Sequence, residues 1–126
     1  MSKKRIVRSY AVKGGDRVVV GLVVFVWEDD GIHYAFAPSL DITGYGKSEG
    51  QAKASLDLML DEFMEYTHNK GTIYKELERL GWTMNKKKKR LRAPEHAELL
   101  ADNEDYREIA GRLDVRSEKR EVAFAL

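Results

Sequence analysis

A chain of 126 residues is the size of one folded domain, long enough to bury a core and too short for two independent ones. Its 22 Lys and Arg nearly cancel its 21 Asp and Glu, and 43% of residues are hydrophobic, which excludes both a disordered chain and a molecule-wide attraction for nucleic acid. The absence of cysteine excludes disulfides, thiolate metal sites and thiol nucleophiles, and fits a reducing compartment.

In chain order, residues 6–12 read as a short strand, and Lys13-Gly14-Gly15-Asp16 as a turn, because glycine reaches positive φ without steric cost. Residues 18–27 are β-branched and aromatic almost throughout, the pattern of a central strand covered on both faces. That run is about half the roughly 20 residues of a membrane span, and Gly21 interrupts it. No apolar signal segment follows Ser2-Lys3-Lys4-Arg5, so a cytoplasmic, soluble protein is expected. Glu28-Asp29-Asp30-Gly31 supplies a hairpin turn into a strand over residues 32–37. Pro38 ends that strand, residues 40–43 give a further short one, and Gly44-Tyr45-Gly46 reads as a turn.

Ser48-Glu49-Gly50-Gln51 has the spacing of a capping box and opens a helix. Ala52, Leu56, Met59, Leu60 and Phe63 recur on one face of it, with Lys53, Asp57, Asp61, Glu62 and Glu65 on the other. Gly71 is a natural left-handed stop. Thr72 caps a second helix over residues 73–80, ended by Gly81. Residues 85–92 are strongly basic and read as a linker or a solvated strand. Residues 95–112 have helical character, with Asn103 a cap between two short helices, and residues 120–126 alternate like a strand. The expected fold is thus α+β: an antiparallel sheet of three to four strands packed by an amphipathic helix, with a helical C-terminal extension ending in a strand. One domain over residues 1–126 would have its core at 18–84, a basic linker at 85–92 and the extension at 93–126.

No complete catalytic constellation emerges. His33, His68 and His96 lie in different elements without the i, i+4 spacing of helical metal ligands, and Glu28, Asp29 and Asp30 are consecutive turn residues rather than converging carboxylates. A small enzyme would have to draw on His33, Asp41 and Tyr45, whose spacing supports no shared site. Gly44 and Gly46 ahead of a helix lack the remaining residues of either phosphate-binding fingerprint. Neither cofactor nor metal is expected. Two features point to binding. Tyr45, held between two glycines, is placed to touch a partner, and Lys86, Lys87, Lys88, Lys89, Arg90 and Arg92 could contact phosphates, though no aromatic residue is interleaved for base stacking.

The residues from Trp27 to Leu40, followed by Gly44-Tyr45-Gly46-Lys47-Ser48-Glu49-Gly50-Gln51-Ala52, resemble the HicB-like antitoxin family over residues 18–82, about half the chain. The shared pattern is a strand, an acidic-Gly hairpin turn, a strand ending in Pro-x-Leu, a Gly-rich turn and a capped helix. The resemblance implies a reduced ribonuclease H-like α+β domain without catalytic carboxylates. Such a domain binds and neutralises a small toxin that degrades messenger RNA. Gln51 stands where the family has Glu, and residues 93–126 show neither a helix-turn-helix nor a ribbon-helix-helix pattern, so the family's added repressor role is not implied here. The expectation is a non-catalytic, antitoxin-like interaction protein, homodimeric through sheet edges that residues 122–126 would complete within or between chains. The alternative is a nucleic-acid-binding regulator that uses the basic stretch, with Lys3, Lys4, Arg5 and Arg8 as auxiliary contacts.

Overall fold

The structure, a computed structural model, describes residues 9–12, 17–85, 87–88, 90–112 and 114–125. The turn expected at residues 13–16, the first residues of the expected N-terminal strand, and the basic N-terminal cluster lie outside them. The elements are β1 (Ser9–Val12), β2 (Arg17–Asp29), β3 (Ile32–Ala37), β4 (Ile42–Gly46), α1 (Glu49–Lys70), α2 (Ile73–Arg79), β5 (Thr83–Asn85), β6 (Arg90–Arg92), α3 (His96–Asp102), α4 (Glu104–Ala110) and β7 (Arg116–Ala125).

β2 organises an antiparallel sheet of five strands. Along one edge it pairs first with β1, at residues 17–20, and then with β3, at residues 25–29. Along the other edge it pairs with β7 over residues 17–26, and β4 adds outside β3. The expected count of three to four strands falls short because a strand of 13 residues has room for two partners on one edge. The two-residue turn between β2 and β3 has positive φ at both centres, 53° at Asp30 and 82° at Gly31, the handedness that matches strand twist in a tight hairpin.

Side chains alternate across β2, as a strand requires. Val18, Val20, Leu22, Val24 and Val26 are buried on one face, where Ala52, Leu56 and Leu60 of α1 join the same core with Ile73 and Leu77 of α2. Phe25 and Trp27 lie on the opposite face beside Phe36 and Tyr34 of β3. Phe36 is buried there and the Tyr106 ring of α4 sits 5.5 Å from Phe25, so the second face of β2 is covered at that point, whereas Val19, Val23 and Trp27 on it are only partly buried.

The entry to α1 follows its sequence signal. Ser48 Oγ accepts the Gln51 N–H at 3.1 Å, and Gln51 Oε1 accepts the Lys47 N–H at 2.9 Å. The helix ends at Gly71 with φ 68°. Gly44 and Gly46, however, are not a turn: they close β4. Their purpose is proximity. A Cβ on Gly44 would stand 2.3 Å from the Leu56 nitrogen and 2.6 Å from the Ala52 oxygen, so only glycine lets α1 lie this close on β4. Ala35, opposite Gly44 on the neighbouring strand, continues the low floor.

The basic stretch is strand rather than linker, part of a hairpin. β5 and β6 pair, Leu91 is buried in the main core, and Ala93 follows it inside. Phe124 of β7 is also fully buried, with its ring 5.2 Å from Trp82, whose Nε1–H donates to the Ser39 carbonyl at 2.7 Å. The core therefore runs past residue 84 to Leu91, Ala93 and Phe124. In the extension Asn103 does cap α4, its Oδ1 accepting the Tyr106 N–H at 2.9 Å. The terminal strand begins at Arg116, earlier than the alternation at 120–126 suggests, and pairs with β2 of its own chain.

Candidate protein-binding surfaces

Tyr45 is 63% exposed. With Gly44 and Gly46 turned to α1, alternation sends Tyr45 to the other face of the sheet, directly across from Tyr34. Tyr34 in turn is the cross-strand partner of Trp27, and their rings stack with centroids 5.2 Å apart and planes 18° from parallel. Trp27, Tyr34 and Tyr45 thus form an aromatic row over three adjacent strands. The Arg112 guanidinium lies 6.0 Å from the Trp27 ring centroid, at the outer limit of a cation–π contact. Asp114 accepts from Arg112 Nε at 2.9 Å and from Nη2 at 3.0 Å, and Asp29 stands 3.8 Å from Nη1. The hydrogen bond to Asp114 raises the Arg112 pKa, and the same contact lowers that of Asp114.

Sequence reasoning singled out Tyr45 alone. The Trp27–Tyr34 pair was available, since a two-residue turn at Asp30 and Gly31 forces residue 27 opposite residue 34. Adding Tyr45 required knowing that Gly44-Tyr45-Gly46 is strand.

A second exposed surface lies on α1. Leu58 is 61% and Tyr66 62% exposed, and Met59, expected in the core, is exposed as well. At 100° per residue Leu58, Met59, Glu62 and Tyr66 share the flank opposite the one that faces β7. Exposed Asp61 and Glu65 border these residues on the solvent side, and the Lys70 ammonium sits 5.9 Å from the Tyr66 ring centroid.

The flank of α1 toward β7 carries a ladder of charges. Glu49 meets Arg116 at 2.6 Å, Lys53 meets Glu118 at 2.7 Å and Asp57 meets Arg120 at 2.7 Å. Four helical residues rise about 6 Å and two strand residues about 6.8 Å, close enough for three rungs to stay in step. Hydrogen bonds from Arg116 and then Lys53 pull the Glu49 pKa down to about 2, and those from Lys53 and Arg116 lower that of Glu118. Bonds to Glu118 and Glu49 raise the Lys53 pKa.

Among the basic residues, Lys87, Lys88, Arg90 and Arg92 are exposed on the β5–β6 hairpin, and Lys86 and Lys89 lie outside the described residues. Asn85 Oδ1 accepts the Lys88 N–H at 3.1 Å, which folds the tip. Buried Leu91 puts Arg90 and Arg92 on the outer side, with Arg92 paired to Glu95. His33, Asp41 and Tyr45 do not converge: His33 opposes Gly46 at one end of the β3–β4 pair, Asp41 sits in the turn at the other end, and Tyr45 faces away from the glycines beside it. Among the described residues no group of three or more His, Asp or Glu is placed to hold a metal, and no helix is long and apolar enough to cross a membrane.

The molecule is an α+β protein built on an antiparallel sheet with a long helix on one face. Comparison with protein-family models, with curated proteins and with solved structures gives no match for the chain.

Proposed function

We propose that this is a non-catalytic interaction protein of the antitoxin type, which binds a small basic toxin and keeps it from degrading messenger RNA. The observation that carries the reading is the outer flank of α1: Leu58, Met59 and Tyr66 exposed on a helix among Asp61, Glu62 and Glu65. Apolar anchors bordered on one side by carboxylates suit a helix-sized groove on a cationic protein. The resemblance of residues 18–82 to HicB-like antitoxins supports the same role. β4 is an edge strand, as is β7, so the homodimer expected from the sequence would form through one of these edges. The test is co-purification with a small basic protein encoded beside this gene, and a gene neighbourhood without one counts against the reading. Wild type should retain it and suppress its ribonuclease activity, whereas Leu58→Asp with Tyr66→Ala should lose it by roughly tenfold or more in Kd. A partner retained equally by that double variant sinks the assignment to α1.

A second reading, nucleic-acid binding, is favoured by one observation: the basic segment is a hairpin fastened to the core by Leu91, with Lys87, Lys88 and Arg90 on its exposed side. It expects binding whose affinity falls steeply with salt, and Lys87→Ser, Lys88→Ser and Arg90→Ser together should reduce the log–log salt slope by about 2 to 3. An unchanged slope removes this reading.

A further inference from the structure

The three aromatic rings on the face opposite α1 belong to neither surface used above. Trp27 and Tyr34 are half-buried, and Tyr45 is mostly open to solvent at the end of the row. Trp27 and Tyr34 are stacked and Tyr45 is the direct cross-strand neighbour of Tyr34, so the three side chains make one aromatic row whose Tyr45 end is open. Such a shelf attracts either nucleobases, by stacking, or cations, through the ring quadrupole. The charges around it separate the two. Asp29 lies on the same face as Trp27, Asp30 follows in the turn, and Asp114 closes the other side. Arg112 is already paired to two of these carboxylates, and Lys47 is the cation that follows β4. A phosphate backbone laid along the row would meet more negative charge than positive. A guanidinium would meet rings beneath it and carboxylates beside it, the surroundings that Arg112 has over Trp27.

We infer that the row Trp27, Tyr34 and Tyr45 is a docking shelf for an arginine-bearing segment of a protein partner, with Arg112 as the chain's own occupant of its first position. An incoming guanidinium stacks on Tyr34 and Tyr45 next to Arg112 and shares the carboxylates of Asp29 and Asp30. Tyr45 contributes its ring rather than its hydroxyl, and the planar guanidinium is preferred to an ammonium because it stacks on an aromatic face. The inference stands apart from the α1 surface, and its variants do not touch that helix.

The two tryptophans make the test internal. Trp27 lies in the row, whereas Trp82 is 3% exposed in the core, so their indole N–H signals in a proton–nitrogen correlation spectrum report the site and a control. The full chain is titrated with an octapeptide of alternating arginine and glycine, with its lysine counterpart, and with a uridine octanucleotide. The expected result is saturable movement of the Trp27 signal with Trp82 still, weaker binding of the lysine peptide, and no saturable movement with the oligonucleotide. Tyr45→Ala should weaken the arginine peptide about fivefold or more while the rest of the spectrum stays folded, and Tyr45→Phe should bind as wild type does. The inference is overturned by a Trp27 signal that does not saturate, by binding that ignores Tyr45→Ala, or by the oligonucleotide competing the peptide away. Failure here leaves co-purification through α1 untouched, and loss of α1 binding leaves this titration unchanged.

Discussion

Gly44 shows how much one missing side chain can decide. Its absent Cβ would fall within 2.7 Å of three backbone atoms of α1, none of which can rotate aside. Gly44→Ala should therefore cost about 1–3 kcal/mol or more, as overpacking does, read as a lower midpoint in chemical denaturation. Tyr45→Ala beside it should change stability by no more than about 0.5 kcal/mol, because the ring is mostly in solvent. The glycine-tyrosine-glycine alternation was visible in the chain but admits two meanings. Glycine marks both turns and close approaches, and only the position of the helix separates them. Met59 misled for a related reason: the helical period places it near the apolar face, yet it lies at that face's margin and keeps 37% of its surface exposed.

At the scale of elements, α1 and β7 are joined by side chains that sequence periodicity assigns to solvent. Lys53 and Asp57 were expected on the polar face, and they are, but that face borders a strand more than sixty residues away. Nothing local encodes such a pairing. The helix itself, its Ser48 cap and its Gly71 stop were legible because their signals lie within a few residues of each other. The ladder predicts an acid dependence. Glu49 has its pKa lowered from 4.5 to about 2, so the folded state favours the ionised form. Its contribution is complete above pH 4.5 and is lost as pH falls toward 2. Glu49→Gln should flatten the dependence of stability on pH in that interval, lying below wild type at neutral pH and converging with it near pH 2, a difference that urea denaturation at several pH values would detect. The pairs are exposed, so added salt should weaken the effect.

For the whole molecule, the central strand, the hairpin and the α+β class were legible because each rests on a run of consecutive residues. The extent of the core was not. Leu91, Ala93 and Phe124 sit in segments read as linker and extension, and their burial follows from β7 returning to β2. Phe124→Ala removes a fully buried ring beside Trp82 and Val18, and should cost about 3–5 kcal/mol in equilibrium unfolding. Trp82→Phe keeps most of the apolar volume but leaves the Ser39 carbonyl without its indole donor, so a smaller loss of about 1–3 kcal/mol is expected.

The pairing of β2 with β7 also has a kinetic meaning. The hairpin of β2 with β3, then β4 and α1, closes from neighbours in the chain, whereas β7 joins residues about a hundred positions away. Until it arrives, the edge of β2 from Val18 to Val26 offers bare ladder groups between valines, a template for pairing with other copies. β7 brings Arg116, Glu118 and Arg120 on its α1 face and Lys119 on the other, so its docking replaces a valine-rich edge strand with a charged one. The last strand thus acts as a gatekeeper, and a chain cut before Arg116 should fold its first four strands yet associate into oligomers that light scattering detects.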